Sequence, residues 1–276
     1  MTLNPELSEK ASRLSAILQD VSRGEVVNIA YSGGLDSRFL AFFALNLGLK
    51  VNLIHVTGPH IASDETNEAL SAARSMGLEP QLVPINPLEN QAIQEAGRNR
   101  CYECKKTIFS TLLGRVSPAL LCDGTNASDQ LVFRPGRKAL EELGIRSPLA
   151  EAGITKEQIR ALGREMNFPN PEQAARPCLL TRFPYGVLPS EEMLHAIATI
   201  ERFIASHPFG KTLRFRVRVP DSDGPQLHVE RSSLPDRPFE QISKLQHDLR
   251  DEFPNLMGMP VEIFETLSGY YDNRKQ

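Results

Sequence analysis

The sequence predicts an α/β protein: a parallel sheet with helices wound on both of its faces, followed by a smaller α+β domain. Three observations support this fold class. Apolar strand-like runs alternate regularly with helical patterns through the first half of the chain. A turn with two adjacent glycines joins the first predicted strand to the next predicted helix. After residue 186 the regular alternation ends, and helices and strands follow in a different order.

The first half of the chain contains the elements of the predicted parallel sheet. The strands are expected at Val26–Tyr31, Lys50–Val56, Gln81–Ile85 and Ala119–Cys122. The helices are expected after Asn4-Pro5, which can cap a helix, and at Arg38–Leu47, Asp64–Met76 and Lys105–Leu113. Ligands of such sheets bind at the carboxyl ends of the strands. We therefore expect the loops after the first and fourth strands to face one ligand.

The second half of the chain predicts a domain junction and a second domain. Thr155 and Gln158 have the spacing of a capping box, and Ile154 and Ile159 can form its hydrophobic staple. Residues 167–189 are rich in proline and irregular, so we predict domains at 1–186 and 187–276. The second domain is expected to contain helices at Ser190–Ala205 and Pro238–Leu249 and strands at Thr212–Val219, Gln226–Glu230 and Val261–Leu267.

The composition excludes several classes of protein. The chain has 276 residues, 41% hydrophobic residues and a formal net charge of −3, which is ordinary for a soluble globular protein. No stretch approaches the ~20 apolar residues of a membrane span, and the charged first twenty or so residues do not resemble a secretory signal. We expect a cytoplasmic protein that binds neither membranes nor nucleic acid.

The glycine turn is the strongest functional signal. Ser32-Gly33-Gly34-Leu35-Asp36-Ser37 lies between a strand and a helix, where bare backbone N–H groups and a helix N-terminus can bind phosphate. The loop has no lysine, so it is not the Gly-Lys-Ser/Thr type of phosphate loop. Asp123-Gly124-Thr125-Asn126 follows the fourth strand and is expected at the same edge.

The cysteines suggest a second site. Cys101 and Cys104 form a C-x2-C pair beside Arg100, Lys105 and Lys106, and cations of this kind favour the thiolate form. With Cys178 as a third ligand they would suit a [4Fe-4S] cluster with one open iron. The alternatives are a zinc site, or a cysteine pair at a helix start with Cys178 acting alone. Cys122, at the end of an apolar strand, is expected to be a core residue.

The second domain carries a row of arginines. In the strand predicted at 212–219, Arg214, Arg216 and Arg218 share one face. They form either a solvated face or a lining for a phosphate or carboxylate.

These motifs together resemble the LarE family of ATP-dependent sulfur transferases, which help to build the nickel-pincer nucleotide cofactor. Ser-Gly-Gly-Leu-Asp-Ser looks like the PP-loop of the ATP pyrophosphatases, whose adenine nucleotide alpha hydrolase-like fold is a doubly wound parallel sheet. The resemblance covers nearly the whole first two-thirds of the chain. Its further motifs are Arg100 to Lys105, Asp123 to Ala127, Arg134-Pro135-Gly136, Arg146 to Leu149 and Cys178 to Gly186.

The resemblance implies a reaction in two stages. ATP with Mg²⁺ adenylates a carboxylate of a pyridinium mononucleotide and releases pyrophosphate, and a sulfur nucleophile then displaces AMP. ATP is expected at Ser32, Gly33, Gly34, Asp36, Ser37, Gly124, Thr125 and Asn126, with Mg²⁺ at Asp36 and Asp129. Arg216, Arg218 and Glu230 fit the family's pattern for the substrate phosphate. The sulfur comes either from Cys178 itself, which becomes dehydroalanine, or from the [4Fe-4S] cluster of Cys101, Cys104 and Cys178. The presence of all three cysteines favours the cluster.

The expected partners are therefore a small nucleotide substrate and a sulfur donor, and we expect a homo-oligomer. The sequence departs from the family pattern at Arg38, where a small residue is usual, and at Gln173, where a lysine is expected. Three other functions stay open: a tRNA-thiolating enzyme with a PP-loop, an amidating ligase that uses ammonia, and a regulatory nucleotide-binding protein without catalysis. The charge of −3 and the absence of a basic stripe oppose tRNA binding.

Overall fold

The computed structural model describes residues 4–95, 97–131, 135–220, 224–256 and 258–272. The chain divides into two compact units, Met1–Arg176 and Pro177–Gln276. Residues just after Pro177 belong to the second unit because they bond to it: the Arg182 carbonyl accepts from Val219 N at 2.9 Å and from the Tyr271 hydroxyl at 2.9 Å. The sequence-based boundary after residue 186 remains a prediction.

The first unit is built on a four-stranded sheet in the order β3-β2-β1-β4, and every pair in it is parallel. The α/β class and the parallel sheet predicted from the sequence are confirmed. The strands are β1 (Val26–Ala30), β2 (Lys50–Thr57), β3 (Gln81–Pro84) and β4 (Leu121–Cys122). The helices are α1 (Pro5–Ser22), α2 (Leu35–Asn46), α3 (Ser63–Ser75), α4 (Gln91–Glu95), α5 (Arg100–Val116), α6 (Pro135–Glu142), α7 (Pro148–Glu151) and α8 (Lys156–Glu165).

β1 lies inside the sheet, with apolar side chains on one face and the buried, hydrogen-bonded Asn28 on the other. Val27 and Ile29 are fully buried, as expected for a strand with helices packed over it. Its register places Ile29 opposite Leu53 of β2 and Cys122 of β4. The loops that follow β1 and β4 therefore leave the sheet at the same edge.

Helix caps formed by the sequence motifs are present in the first unit. The side chain of Asn4 accepts a hydrogen bond from Glu6 N at 3.0 Å and begins α1. The predicted capping box is confirmed: Gln158 N donates to Thr155 Oγ1 and Thr155 N donates to Gln158 Oε1. This box sets the first turn of α8, and it places Lys156 as the first residue of that helix.

The second unit contains a three-stranded sheet in the order β5-β6-β7. β5 (Phe215–Arg218) and β6 (Gln226–Glu230) are antiparallel, whereas β6 and β7 (Val261–Phe264) are parallel. Two helices accompany the sheet, α9 (Glu191–Ser206) and α10 (Phe239–Glu252). Arg134 of the family motif lies outside the described residues.

Among the described residues, the structure contains no helix with the length and apolar character needed to cross a membrane.

Candidate functional site

The glycine loop connects β1 to α2 by a turn that requires glycine. Gly33 has a φ of +76°, and a Cβ atom built on it would lie 2.2 Å from the Cβ of Ala69. Both conditions exclude a larger residue, the first by backbone strain and the second by contact with α3. The sequence thus places a bare main chain directly before the N-terminus of α2.

Hydroxyl and amide groups gather around this loop. The Oγ atoms of Ser32 and Ser37 are 3.1 Å apart, and Gly34 N donates to Ser32 Oγ at 3.3 Å. Ser37 Oγ also lies 3.3 Å from the carbonyl oxygen of Gly34, to which it donates. The first N–H groups of a helix have no partner inside the helix, and the helix dipole adds positive potential there. The loop can therefore bind an anion through neutral donors.

The loop after β4 meets the glycine loop. A Cβ atom on Gly124 would lie 2.8 Å from Ser37 N and 3.1 Å from Ser37 Cα, so only glycine allows this approach. Asp123 shapes the loop, because its carboxylate accepts hydrogen bonds from Thr125 N at 3.1 Å and from Ser147 Oγ at 2.7 Å. The prediction that the loops after the first and fourth strands lie together is confirmed.

Asp36 lies in the first turn of α2 and pairs with a residue that the sequence analysis missed. Its Oδ2 is 3.3 Å from Lys156 Nζ at the start of α8. Burial raises the pKa of Asp36, and nearby Asp129 raises it further, while Lys156 and Asn126 lower it. No local signal indicates this pair, because its two residues are 120 positions apart in the chain.

The carboxylate of Asp36 also has an oxygen that is available to a magnesium ion. Asp36 Oδ1 is buried and has no hydrogen-bond partner among the described residues. Asp129 is close enough to raise the pKa of Asp36. Magnesium prefers carboxylate oxygens and is usually completed by substrate phosphates and water. Asp36 and Asp129 are the residues that would hold such an ion, and this role remains a prediction.

Arg38 and Gln173, which both depart from the family pattern, contact each other. Arg38 Nη1 donates to Gln173 Oε1 at 2.7 Å, and Arg38 Nη2 donates to the carbonyl of Pro169 at 2.7 Å. Gln173 Nε2 in turn donates to the carbonyl of Gly33 at 3.1 Å. The guanidinium of Arg38 is buried and lies 4.9 Å from the ring centroid of Phe168. The sequence indicated each residue as unusual but not their contact.

The cysteines lie in both units. Cys101 and Cys104 are half-buried in the first turns of α5, whereas the half-buried Cys178 precedes a short 3-10 helix of the second unit. Within the described residues, no group of three or more His, Cys, Asp or Glu side chains is arranged to hold a metal ion. The iron–sulfur cluster of Cys101, Cys104 and Cys178 remains a prediction. Cys122 is fully buried, so its predicted core position is confirmed.

The exposure of the arginine row in the second unit decreases along the chain from Arg214 to Arg218. Arg214 is exposed and pairs with Glu230 at 2.8 Å. Arg216 is half-buried and donates to the Leu267 carbonyl at 2.8 Å, and Arg218, which is 1% exposed, donates to the same oxygen. Burial lowers the pKa of both Arg216 and Arg218 to about 10, and repulsion from Arg182 acts in the same direction.

These two inner arginines therefore stay charged at neutral pH although they are withdrawn from water. The nearby Arg182 is paired with Glu201, with its Nε 2.8 Å from Glu201 Oε1. Desolvated guanidinium groups interact more strongly with anions than exposed ones do.

A parallel sheet with a glycine loop at its carboxyl edge defines an α/β protein whose ligands are expected at that edge. No family model matches the chain. The chain is similar to the pyridinium-3,5-bisthiocarboxylic acid mononucleotide synthase of Lactiplantibacillus plantarum, with 30% identity over 215 residues, which are 76% of each chain.

Two uncharacterized proteins are also similar. One from Synechocystis is 33% identical over 268 residues, 94% of this chain and 92% of its own length. The other, from Methanocaldococcus jannaschii, is 30% identical over 205 residues, 73% of this chain and 78% of its own length. The chain belongs to the LarE family, the family of the synthase from Lactiplantibacillus plantarum. The resemblance predicted from the sequence motifs is confirmed.

Proposed function

We propose that this chain is an ATP-dependent sulfur transferase that acts on a carboxylate of a pyridinium mononucleotide. The observation that carries the proposal is the approach of Gly124 to the N-terminus of α2. It joins the loops after β1 and β4 into one anion-facing surface, in a chain related to a synthase of a bisthiocarboxylic acid mononucleotide. The first unit would then be a PP-loop domain, and the second unit a substrate-binding and oligomerisation domain.

The first stage is adenylation. The loop of Ser32, Gly33, Gly34 and Ser37 would bind the polyphosphate of ATP, with Thr125 and Asn126 beside it. A substrate carboxylate oxygen attacks the α-phosphorus, the bond to the β-phosphate oxygen breaks, and pyrophosphate leaves. Mg²⁺ held by Asp36 and Asp129 would neutralise phosphate charge, and Lys156 adds a fixed cation at Asp36.

The second stage replaces AMP with sulfur. Adenylation converts the carboxylate oxygen into part of a good leaving group, and a thiolate is a strong nucleophile at neutral pH. If Cys178 is the donor, its sulfur attacks the acyl carbon and AMP leaves. Loss of the Cys178 α-proton and cleavage of its Cβ–S bond then give a thiocarboxylate and dehydroalanine.

The second unit is proposed to bind the phosphate of the substrate. Arg216 is the half-buried member of the arginine row and is assigned the direct contact. Arg218 contributes positive potential beside it. Repulsion from Arg182 and Arg218, which contributes to the lowered pKa of Arg216, would be relieved by a bound anion.

Pyrophosphate release tests the reaction class. With ATP, Mg²⁺ and a pyridinium dicarboxylate mononucleotide, we expect pyrophosphate to form only when the carboxylate is present. Cys178→Ser should retain substrate-dependent exchange between ATP and pyrophosphate but yield no thiocarboxylate. Absence of carboxylate-dependent pyrophosphate release would contradict the proposal, and full turnover with ammonia in Cys178→Ser would indicate an amidating ligase.

Anaerobic purification distinguishes the two sulfur sources. About four iron and four sulfide per chain, lost in Cys101→Ala, would establish the cluster of Cys101, Cys104 and Cys178. Protein without iron whose mass falls by about 34 Da at Cys178 after turnover would identify this cysteine as the donor, as loss of the elements of H₂S requires.

A further inference from the structure

The amide of Gln173 joins two parts of the first unit. Its Oε1 accepts from Arg38 Nη1 at 2.7 Å, and its Nε2 donates to the carbonyl oxygen of Gly33 at 3.1 Å. The two contacts lie on opposite ends of one planar group. Gln173 therefore connects a buried guanidinium on α2 to the main chain of the glycine loop.

Arg38 determines which way the amide points. A guanidinium has donors but no acceptor, so only the oxygen end of the amide can face it. The nitrogen end then faces Gly33. Arg38 is itself held in place by the Pro169 carbonyl, at 2.7 Å, and by the ring of Phe168. The direction of the Gln173 amide is thus set by its surroundings.

The bond to Gly33 acts on one peptide group of the loop. The carbonyl of Gly33 and the N–H of Gly34 belong to the same trans peptide and point in opposite directions. Glycine tolerates many backbone conformations, so the main chain alone does not determine the orientation of this peptide. With the Gly33 carbonyl directed at Gln173, the Gly34 N–H points toward Ser32 Oγ, at 3.3 Å.

We propose that Gln173 is a positioning residue for the phosphate-binding loop. Arg38 orients its amide, and the amide holds the Gly33–Gly34 peptide so that the Gly34 N–H stays directed into the loop, beside Ser32 Oγ, where the anion would bind. This inference rests on the proposed function, because it takes the loop to bind the polyphosphate of ATP. Gln173 does not itself touch the nucleotide in this proposal; it acts through the main chain of the loop.

Binding of magnesium pyrophosphate to the full chain, measured by calorimetry, tests the proposal. Gln173→Met keeps the length and charge of the side chain but removes the amide, both the donor to Gly33 and the acceptor for Arg38. We expect its Kd to rise about threefold to tenfold, the range for one hydrogen bond. Gln94→Met is the matched control. Gln94 Nε2 donates to the Leu88 carbonyl at a distance of 2.6 Å, and neither residue belongs to the glycine loop. The Kd of Gln94→Met should equal that of the wild type.

A second variant separates positioning from simple stabilisation. Arg38→Met with Gln173→Lys keeps the net charge and supplies a new donor for the Gly33 carbonyl without Arg38. We expect it to bind pyrophosphate within about twofold of the wild type, because the hydrogen bond is restored. Its melting temperature should still fall, since the buried contacts of Arg38 are lost.

The outcomes are distinct. If the wild type binds neither ATP nor pyrophosphate, the proposed function itself fails. If the wild type binds pyrophosphate and Gln173→Met binds it equally well, the positioning role is overturned. The same holds if the double variant binds as weakly as Gln173→Met, because a donor at position 173 would then have no effect on the loop.

Discussion

Buried histidines of the first unit and buried arginines of the second unit differ in their charge at neutral pH. In the first unit, burial lowers the pKa of His55 and of His60, to about 4 for His60, so the rings are neutral at pH 7. In the second unit, Arg216 and Arg218 remain cations, because their pKa, though lowered by burial to about 10, is still well above neutral. Around the glycine loop, the first unit presents backbone N–H groups and hydroxyls, with Lys156 as a cation paired with Asp36, whereas the second unit presents the charged guanidinium groups of its arginine row. Anion binding should depend on exact backbone geometry in the first case and on side-chain charge in the second.

Gly33→Ala should have the largest effect, because it changes the backbone geometry of the glycine loop in the first unit. The new Cβ would lie 2.2 Å from Ala69 Cβ at a residue with φ +76°. Backbone strain and overpacking together should lower the free energy of unfolding by about 4 kcal/mol. Gly48→Ala is the control, since Gly48 has a φ of +75° and nothing within 4 Å. Chemical denaturation that shows equal losses in both variants would refute a specific role for the contact with α3.

Acid should destabilise the first unit through His60. Its pKa is lowered from 6.5 to about 4, so the unfolded chain takes up a proton before the folded one does. Stability should therefore be complete above pH 6.5 and fall by about 3 kcal/mol as the pH drops to 4. His60→Gln should remove this part of the pH dependence in denaturation curves, whereas a change at the exposed His247 should leave it intact. Identical acid profiles for the wild type and His60→Gln would contradict the neutral buried state.

Removal of a positive charge from the arginine row should weaken substrate binding by the second unit without unfolding it. Arg216→Met is expected to raise the Kd for the mononucleotide substrate about tenfold, the effect of one charged hydrogen bond. Arg214→Met is the control, because Arg214 is exposed and paired with Glu230. Titration calorimetry that finds equal losses in both variants would show that the row acts as a general positive surface.

Lys156→Met should give the smallest effect of the four changes. It tests Asp36, the carboxylate of the glycine loop that pairs with Lys156. Without the cation, burial and Asp129 act on Asp36 unopposed by Lys156, so its pKa should rise further. The acid limb of the pH profile for magnesium pyrophosphate binding should then move to higher pH. An unchanged profile would show that Asp36 does not titrate with ligand binding.

Local features of the fold were predictable from the sequence, and distant pairings were not. The capping box of Thr155 and Gln158 and the glycine turn depend on neighbouring residues, so their patterns indicate them directly. The pair of Lys156 and Asp36 joins residues 120 positions apart, and that of Arg38 and Gln173 joins residues 135 apart. Such pairs depend on how helices and loops pack around the sheet, which local periodicity does not encode.

The candidate site shows the same division. That the loops after β1 and β4 meet follows from parallel topology alone, since both leave the sheet at one edge. The graded exposure of Arg214, Arg216 and Arg218 does not follow from strand alternation, which predicts only that they share a face. The two inner arginines contact residues far along the chain: both donate to the Leu267 carbonyl, and Arg218 lies 4.5 Å from the ring centroid of Tyr270.

The burial of Cys122 separates this thiol chemically from the other three. Desolvation raises its pKa to about 12, and the neighbouring carboxylate of Asp123 acts in the same direction, so hardly any thiolate forms at neutral pH. An alkylating reagent applied to the native protein should therefore leave Cys122 unmodified until the chain unfolds. Alkylation of Cys122 therefore measures unfolding of the chain. The rates at which Cys101, Cys104 and Cys178 are alkylated can be compared with it in the same mass spectra.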